Sequence, residues 1–153
     1  MKAENYEVRP AHFDDIPEMC GLLSELFSIE SDFRPDSQKQ ADGLGLLVGD
    51  RSGLSAVLVA SDGNSVVGMC SVQTLISTAQ GGPAGLVEDL IVREDCRGKG
   101  IGKKLLSEII EWCVTKNISR VQFLRDIENL AAMEFYASNG WKDTKLVCMR
   151  RLL

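Results

Sequence analysis

Apolar residues keep one spacing for a stretch of this chain, then change it, and each change marks an element. NYEVRPA (residues 5–11) alternates as a first strand does. Asp14, Asp15 and Pro17 then form a helix start, and Ile16, Met19, Cys20, Leu23, Leu26 and Phe27 recur behind it at helical spacing. SIESDFRPDS is a polar loop, followed by DSQKQADGLGLLVGD as a second helix weakened by Gly43 and Gly45. Residues 54–61 (LSAVLVAS) and 65–78 (SVVGMCSVQTLIST) are β-type runs joined by the hairpin turn Asp62-Gly63-Asn64. A QGGP turn leads into AGLVEDLIV (84–92), so the middle of the chain reads as three antiparallel strands.

Beyond a glycine-rich turn, Ile101, Leu105, Ile109 and Trp112 form an apolar stripe, widened by Leu106, Ile110 and Cys113. Lys104, Ser107, Glu108 and Glu111 face outward, which predicts a helix of about four turns from Gly100. SRVQFLR (119–125) reads as a buried strand. ENLAAMEFYASNG (128–140) reads as a helix with Asn129 near its start and Gly140 as its stop, and TKLVCMRRLL (144–153) as a closing strand. No repeat, linker or low-complexity tract interrupts this order. The expectation is a single α/β domain over residues 1–153 with an α+β mixed sheet.

Composition narrows the partners. Lys and Arg number 17 against 22 Asp and Glu, a net charge of −5. That balance argues against nucleic acid, whose binding draws its energy from neutralised phosphates. The charge is unevenly spread, however. Residues 93–104 hold Arg93, Arg97, Lys99, Lys103 and Lys104 against Glu94 and Asp95, a local +3 that leaves −8 elsewhere. A small cationic spot on an anionic body suits a compact polyphosphate. No apolar run reaches the roughly 20 residues of a membrane helix, and the start, Met1-Lys-Ala-Glu-Asn, is polar. The five cysteines (20, 70, 96, 113, 148) lack CxxC spacing and read as reduced thiols of a cytoplasmic protein.

The cationic spot coincides with three glycines in five positions, Gly98-Lys99-Gly100-Ile101-Gly102, between a strand and a helix. Such a turn leaves backbone N–H groups pointing outward at the positive end of the helix dipole. Glycines let those donors converge without a Cβ in the way. A Walker A loop would need Ser or Thr after Gly102-Lys103, where Lys104 stands. A dinucleotide fingerprint would need GxGxxG after a parallel strand. A plain helix cap with a basic surround remains open.

Arg97-Gly-Lys-Gly100-Ile-Gly102 resembles the R/Q-x-x-G-x-G/A motif of the GNAT superfamily of acetyl-CoA-dependent N-acetyltransferases, and NLAAMEFYASNGW resembles its second signature. The element order is similar as well, so the resemblance covers nearly the whole chain. It implies a central, mostly antiparallel sheet splayed at the cofactor site, with helices on both faces. It also implies acetyl-CoA as cosubstrate and no metal. The main chain of Leu90, Ile91 and Val92 would pair with the pantetheine arm. Arg97, Gly98, Lys99, Gly100, Ile101, Gly102 and Lys103 would hold the pyrophosphate, and Asn129 the pantetheine or its own helix. Glu94 stands where many members have proline.

Glu88 and Asp89 sit mid-strand among apolar neighbours, and alternation predicts one facing a substrate notch and the other facing away. VEDLIVREDCRGKGIG most resembles the diamine and polyamine branch, which makes Glu88 the expected base and Asp89 a contact for a cationic substrate. Tyr136 is, by the same resemblance, the acid that protonates the departing thiolate. His12 lies far upstream at a helix entrance and reads as a surface or capping residue. Cys96 is expected to form no acyl intermediate. Glu25, Glu30, Asp32 and Asp36 could rim the site and attract cations, with Glu30 and Asp32 as substrate contacts. The expected partner is a small-molecule amine, with no nucleic acid and no membrane; a homodimer would accord with similar proteins. Acetylation of protein lysines or N-termini, and a non-catalytic acetyl-CoA sensor, stay open beside it.

Overall fold

The computed structural model describes residues 5–153; residues 1–4, within the polar start, lie outside it. Residues up to Phe123 form one compact unit and residues 124–153 another.

The first unit runs β1 (Glu7–Pro10), α1 (Ile16–Ile29), α2 (Ser37–Val48), β2 (Ser55–Ser61), β3 (Val66–Ser77), β4 (Gly82–Val92), α3 (Ile101–Thr115) and β5 (Val121–Phe123). A single 3-10 turn precedes α1, at Phe13–Asp15, and another precedes α3, at Glu94–Cys96. The five strands lie in sequence order. The first three pairings are antiparallel and β4 pairs β5 in parallel. The expected antiparallel middle is therefore present, with α3 as the crossover that a parallel pair requires.

Helices cover both faces of this sheet. Met19, Leu22 and Leu23 of α1 and Leu44 of α2 pack on Val57, Val59, Val66, Met69 and Ile91. Each such side chain, fully buried, contributes roughly 1.5–3 kcal/mol. Gly68 precedes Met69 and so presents the opposite face. A Cβ there would meet Leu105 Cδ1 of α3 at 3.2 Å and the Ile91 carbonyl at 3.1 Å. Glycine at 68 thus lets α3 lie close against β3. Gln40, buried in α2, ties the first two helices together: its amide nitrogen donates to the Cys20 carbonyl at 2.8 Å and to Ser24 Oγ at 3.1 Å. Cys70, Cys96 and Cys113 are buried and Cys148 is exposed, all as free thiols. Burial pushes the Cys113 thiol up to about 11 and raises Cys70 further.

The second unit holds α4 (Leu130–Ser138), capped where the sequence predicts. Asn129 Oδ1 accepts from the Ala132 N–H at 3.0 Å. Gly140 takes a φ of 85° that stops the helix, and the Trp141 N–H turns back to the Tyr136 carbonyl at 3.1 Å. The Arg125 guanidinium grips both oxygens of Asp143 at 3.0 Å.

Two strand expectations are corrected. SRVQFLR gives a strand only at residues 121–123. TKLVCMRRLL gives none: residues 144–153 carry no strand among the described residues, and Leu146, Val147, Met149 and Leu152 are exposed. β-propensity records how a side chain fits a neighbouring strand. A run of apolar residues such as Leu146–Met149 forms strand only where a neighbouring strand accepts its N–H groups and donates to its carbonyls.

Sequence reading also missed one ion pair that fixes the entrance to α1. The Arg9 guanidinium donates to both carboxylate oxygens of Asp15, at 2.7 and 2.9 Å, and the His12 N–H donates to the same carboxylate at 2.7 Å. His12 itself is exposed, in the capping position expected of it. The Arg9 hydrogen bonds hold the Asp15 carboxyl below its usual range, against the opposing effect of burial. Because the folded-state value is depressed, the stabilisation is complete above the unfolded value near ~3.9 and fades as pH falls through the folded one. Asp15→Asn is expected to cost about 1–3 kcal/mol near pH 7, with the gap to wild type closing below about pH 4. Urea unfolding of both proteins across that range measures it.

Candidate active site

The site grows from β4. In the β3–β4 ladder Cys70 faces Leu90 while Val72 faces Val87, so the single residue Ser71 is opposed by both Glu88 and Asp89. This is a bulge of one extra residue in β4. It breaks the alternation that predicted the two carboxylates on opposite faces: Glu88 is exposed, whereas Asp89 and Leu90 are both half-buried. β5 follows β4 only over Gly85–Val87 and stops at the residue before the bulge. From Glu88 to Val92, β4 has no ladder partner on its β5 side among the described residues.

The two acids differ in environment. Asp89 Oδ2 accepts from Ser71 Oγ at 3.2 Å, and Ser71 is completely buried. Burial, and then the neighbouring Glu88 charge, push the Asp89 carboxyl up to about 6, with the serine hydrogen bond opposing the rise. A carboxyl at that value takes up and releases protons near neutral pH.

β4 runs into the glycine turn through the short 3-10 turn at Glu94–Cys96. Gly98 and Gly100 have φ values of 75° and 82°, a region only glycine enters cheaply, and a Cβ at either would project into open space. The first bond of α3 is from the Lys104 N–H to the Gly100 carbonyl at 3.0 Å. The N–H groups of Gly98, Gly100, Ile101, Gly102 and Lys103 take no backbone acceptor among the described residues, and no side chain caps the helix. Successive outward amides at a helix N-terminus form an anion nest. These residues therefore fit a diphosphate.

The basic side chains around the nest are more committed than the sequence suggested. Arg97 Nε donates to the Val92 carbonyl at 2.8 Å and its Nη2 to Glu25 of α1. Arg97 thus pins the end of β4 to α1. It also occupies one of the carbonyls expected to meet the pantetheine arm. Lys99 Nζ lies 3.2 Å from the Tyr6 hydroxyl, and Lys104 Nζ donates to the Tyr6 carbonyl at 2.9 Å. Lys103 is exposed.

The acidic rim divides similarly. Glu25 is paired with Arg97, and Asp36 caps α2 by accepting from the Lys39 N–H at 3.1 Å. Glu30 closes α1, and Asp32 is exposed in the turn after it. In the second unit, Tyr136 is half-buried, with Phe135 and Trp141 rings at 5.3 and 6.3 Å. Asn129 is engaged as the α4 cap. The first unit thus brings together Glu88, Asp89, Leu90–Val92 and residues 97–103 on one continuous strand–turn–helix. Ser71 was missed: a lone hydroxyl inside the apolar run VVGMCSV was visible in the sequence, but its place opposite the two acids comes only from the β3–β4 register. Among the described residues no group of three or more His, Cys, Asp or Glu could hold a metal ion, and no helix is long and apolar enough to cross a membrane.

A sequence model of the Acetyltransferase (GNAT) family matches residues 16–141. The chain belongs to that family. Its match spans both units, and the GNAT nest and bulged strand described above fall within it. An uncharacterized N-acetyltransferase of Archaeoglobus fulgidus is 27% identical over 135 residues, covering 86% of this chain and 90% of that one. A transcriptional regulator from Bacillus halodurans C-125 superposes with a TM-score of 0.84 at 22% identity, over 97% of this chain and 100% of that one. An aminoglycoside acetyltransferase from an uncultured soil metagenomic sample gives 0.77 at 22% identity, over 97% and 96%. Two proteins of such different description on one architecture show that these structural likenesses carry the fold alone. The protein is an acetyltransferase by family, of α/β fold with a five-stranded mixed sheet.

The left-handed turn gives a direct stability contrast. Gly100→Ala, forced to keep a φ of 82°, is expected to lose about 1–2 kcal/mol. Gly21→Ala, in α1 with nothing within 4 Å of its added Cβ, is expected to gain about 0.5–1 kcal/mol. Chemical unfolding midpoints of the two variants measure both signs.

Proposed function

We propose that this GNAT protein transfers an acetyl group from acetyl-CoA directly to a primary amine of a small cationic molecule of the polyamine, diamine or aminoglycoside class. The observation that carries the reading is the continuity of one segment. An anion nest at Gly98–Lys103 lies directly beyond a strand whose open stretch bears Glu88 and Asp89. The nest suits the coenzyme diphosphate. The open stretch of β4, Leu90 to Val92, suits an extended amide-bearing arm laid alongside it, with the Val92 carbonyl held by Arg97 Nε. Acetyl-CoA supplies an activated acyl group, and the rest falls to this chain's own residues.

An ammonium with a solution value near ~10 must lose a proton before it can attack. The Glu88–Asp89 pair supplies the acceptor and, being anionic, also attracts a cationic amine. Glu30, Asp32 and the net charge of −5 favour the same class of substrate. Backbone N–H groups of the open strand near Leu90 are the proposed donors for the oxyanion, and Tyr136 the proposed acid toward the leaving thiolate. Asn129 retains its capping role.

The test is titration of the purified chain with acetyl-CoA, followed by thiol release on a panel of polyamines, diamines, aminoglycosides and a lysine peptide. Micromolar coenzyme binding with release on the small cations is expected. Release confined to the peptide reassigns the acceptor, and binding without any release reduces the protein to a coenzyme sensor. Tyr136→Phe is expected to lower kcat by about 100-fold with coenzyme affinity nearly unchanged; an unaltered kcat removes Tyr136 as the acid.

A further inference from the structure

Glu88 and Asp89 are adjacent in sequence, yet the structure gives them different surroundings. The bulge sets both against one residue, Ser71, and only Asp89 turns to it. Ser71 shows no exposed surface, so its hydroxyl cannot trade this partner for water. A buried hydroxyl facing a carboxylate has a single orientation that satisfies both groups. Glu88 is exposed and makes no such bond.

We infer that Asp89 is the carboxylate that takes the proton from the acceptor amine, and that Ser71 is its positioning residue, donating through Oγ to Oδ2. The inference rests on the acetyl-transfer reading above and decides which acid of the pair serves it. The Asp89 carboxylate removes one proton from the substrate ammonium. The freed nitrogen lone pair forms the C–N bond to the thioester carbonyl carbon, and the C–S bond breaks with its electrons on sulfur. The second nitrogen proton ends on the thiolate, and Asp89 returns its proton to solvent. Glu88, exposed beside it, attracts the amine and holds the Asp89 carboxyl up.

The groups around Asp89 leave this pair in control. On β3 the neighbouring titratable group is the buried Cys70 thiol, which burial raises and keeps neutral. From α3 the buried titratable group is Cys113, while Lys103, Lys104, Glu108 and Glu111 are exposed. From α1, Glu25 is drawn to Arg97 and Glu18 to the Val66 N–H at 2.9 Å. Beside β5, the Arg120 carbonyl accepts from the Gly85 N–H, four residues back along β4 from Asp89.

The test is the pH dependence of kcat/KM for thiol release, together with carbon-13 titration of the Asp89 carboxyl in the free protein. The wild-type lower limb is expected near the Asp89 value of about 6. Ser71→Ala removes a hydrogen bond to the charged form, so limb and carboxyl titration both move up by about one unit. Ser71→Thr, which restores the hydroxyl, brings them back. Glu88→Gln removes the like charge and moves the limb down, and Asp89→Asn abolishes it along with about 100-fold of turnover. Thermal unfolding of each variant confirms the fold. An active wild type whose limb and carboxyl titration stay in place in Ser71→Ala overturns the pairing. A limb lost in Glu88→Gln and kept in Asp89→Asn overturns Asp89 as the acceptor. A wild type that releases no thiol with any amine overturns the acetyl-transfer reading itself.

Discussion

One surplus residue in β4 shapes the open strand on which the proposed chemistry rests. Where Ser71 meets both Glu88 and Asp89, the ladder loses its register by one position. The strand's two-residue alternation fails there, the β5 pairing ends just before it, and a carboxylate lies half inside the sheet. A regular strand would have sent one acid to each face and carried its hydrogen bonds onward to a full-length neighbour. The bulge instead leaves main-chain groups of β4 without a β5 partner and places an acid of raised proton affinity beside them.

The second constraint is electrostatic and lies at the end of the same strand. Left-handed glycines at 98 and 100 aim a run of amides outward, and α3 begins with those donors still to be matched. Fixed amides do not depend on flexible lysine chains to find an anion, which matters because Arg97 and Lys104 nearby are engaged elsewhere. Arg97 bonds to the Val92 carbonyl and to Glu25, and Lys104 reaches the Tyr6 carbonyl. The basic cluster in the sequence is thus partly scaffolding. It holds the strand–turn–helix unit against α1 and the Tyr6 segment, and the turn's backbone amides stay without a backbone acceptor among the described residues.

Charge is economised elsewhere too. Asp15 is consumed by Arg9 and the α1 entrance, Asp36 by the α2 cap, and Asp143 by Arg125. Once these pairs are set aside, the acids on the open stretch of β4 itself are Glu88 and Asp89. The net charge of −5 then reads as a diffuse attraction for cations rather than a built acidic groove.

Much of this was legible in the order of residues. Helical spacing located α1, α3 and α4, the Asp62-Gly63-Asn64 turn located the β2–β3 hairpin, and Arg97 to Gly102 announced the nest, because periodicity and glycine conformation are local properties. Asn129 and Gly140 marked the ends of α4 for the same reason. What the sequence could not carry were decisions made by distant partners. SRVQFLR gave three residues of strand rather than seven, and TKLVCMRRLL gave none among the described residues, because a strand exists only where a partner pairs with it. The difference between Glu88 and Asp89, identical in promise along the chain, arose from the burial of Asp89 against a residue eighteen positions upstream that only the sheet brings opposite. Proton affinity depends on burial and on neighbours through space, so that distinction belongs to the tertiary structure alone.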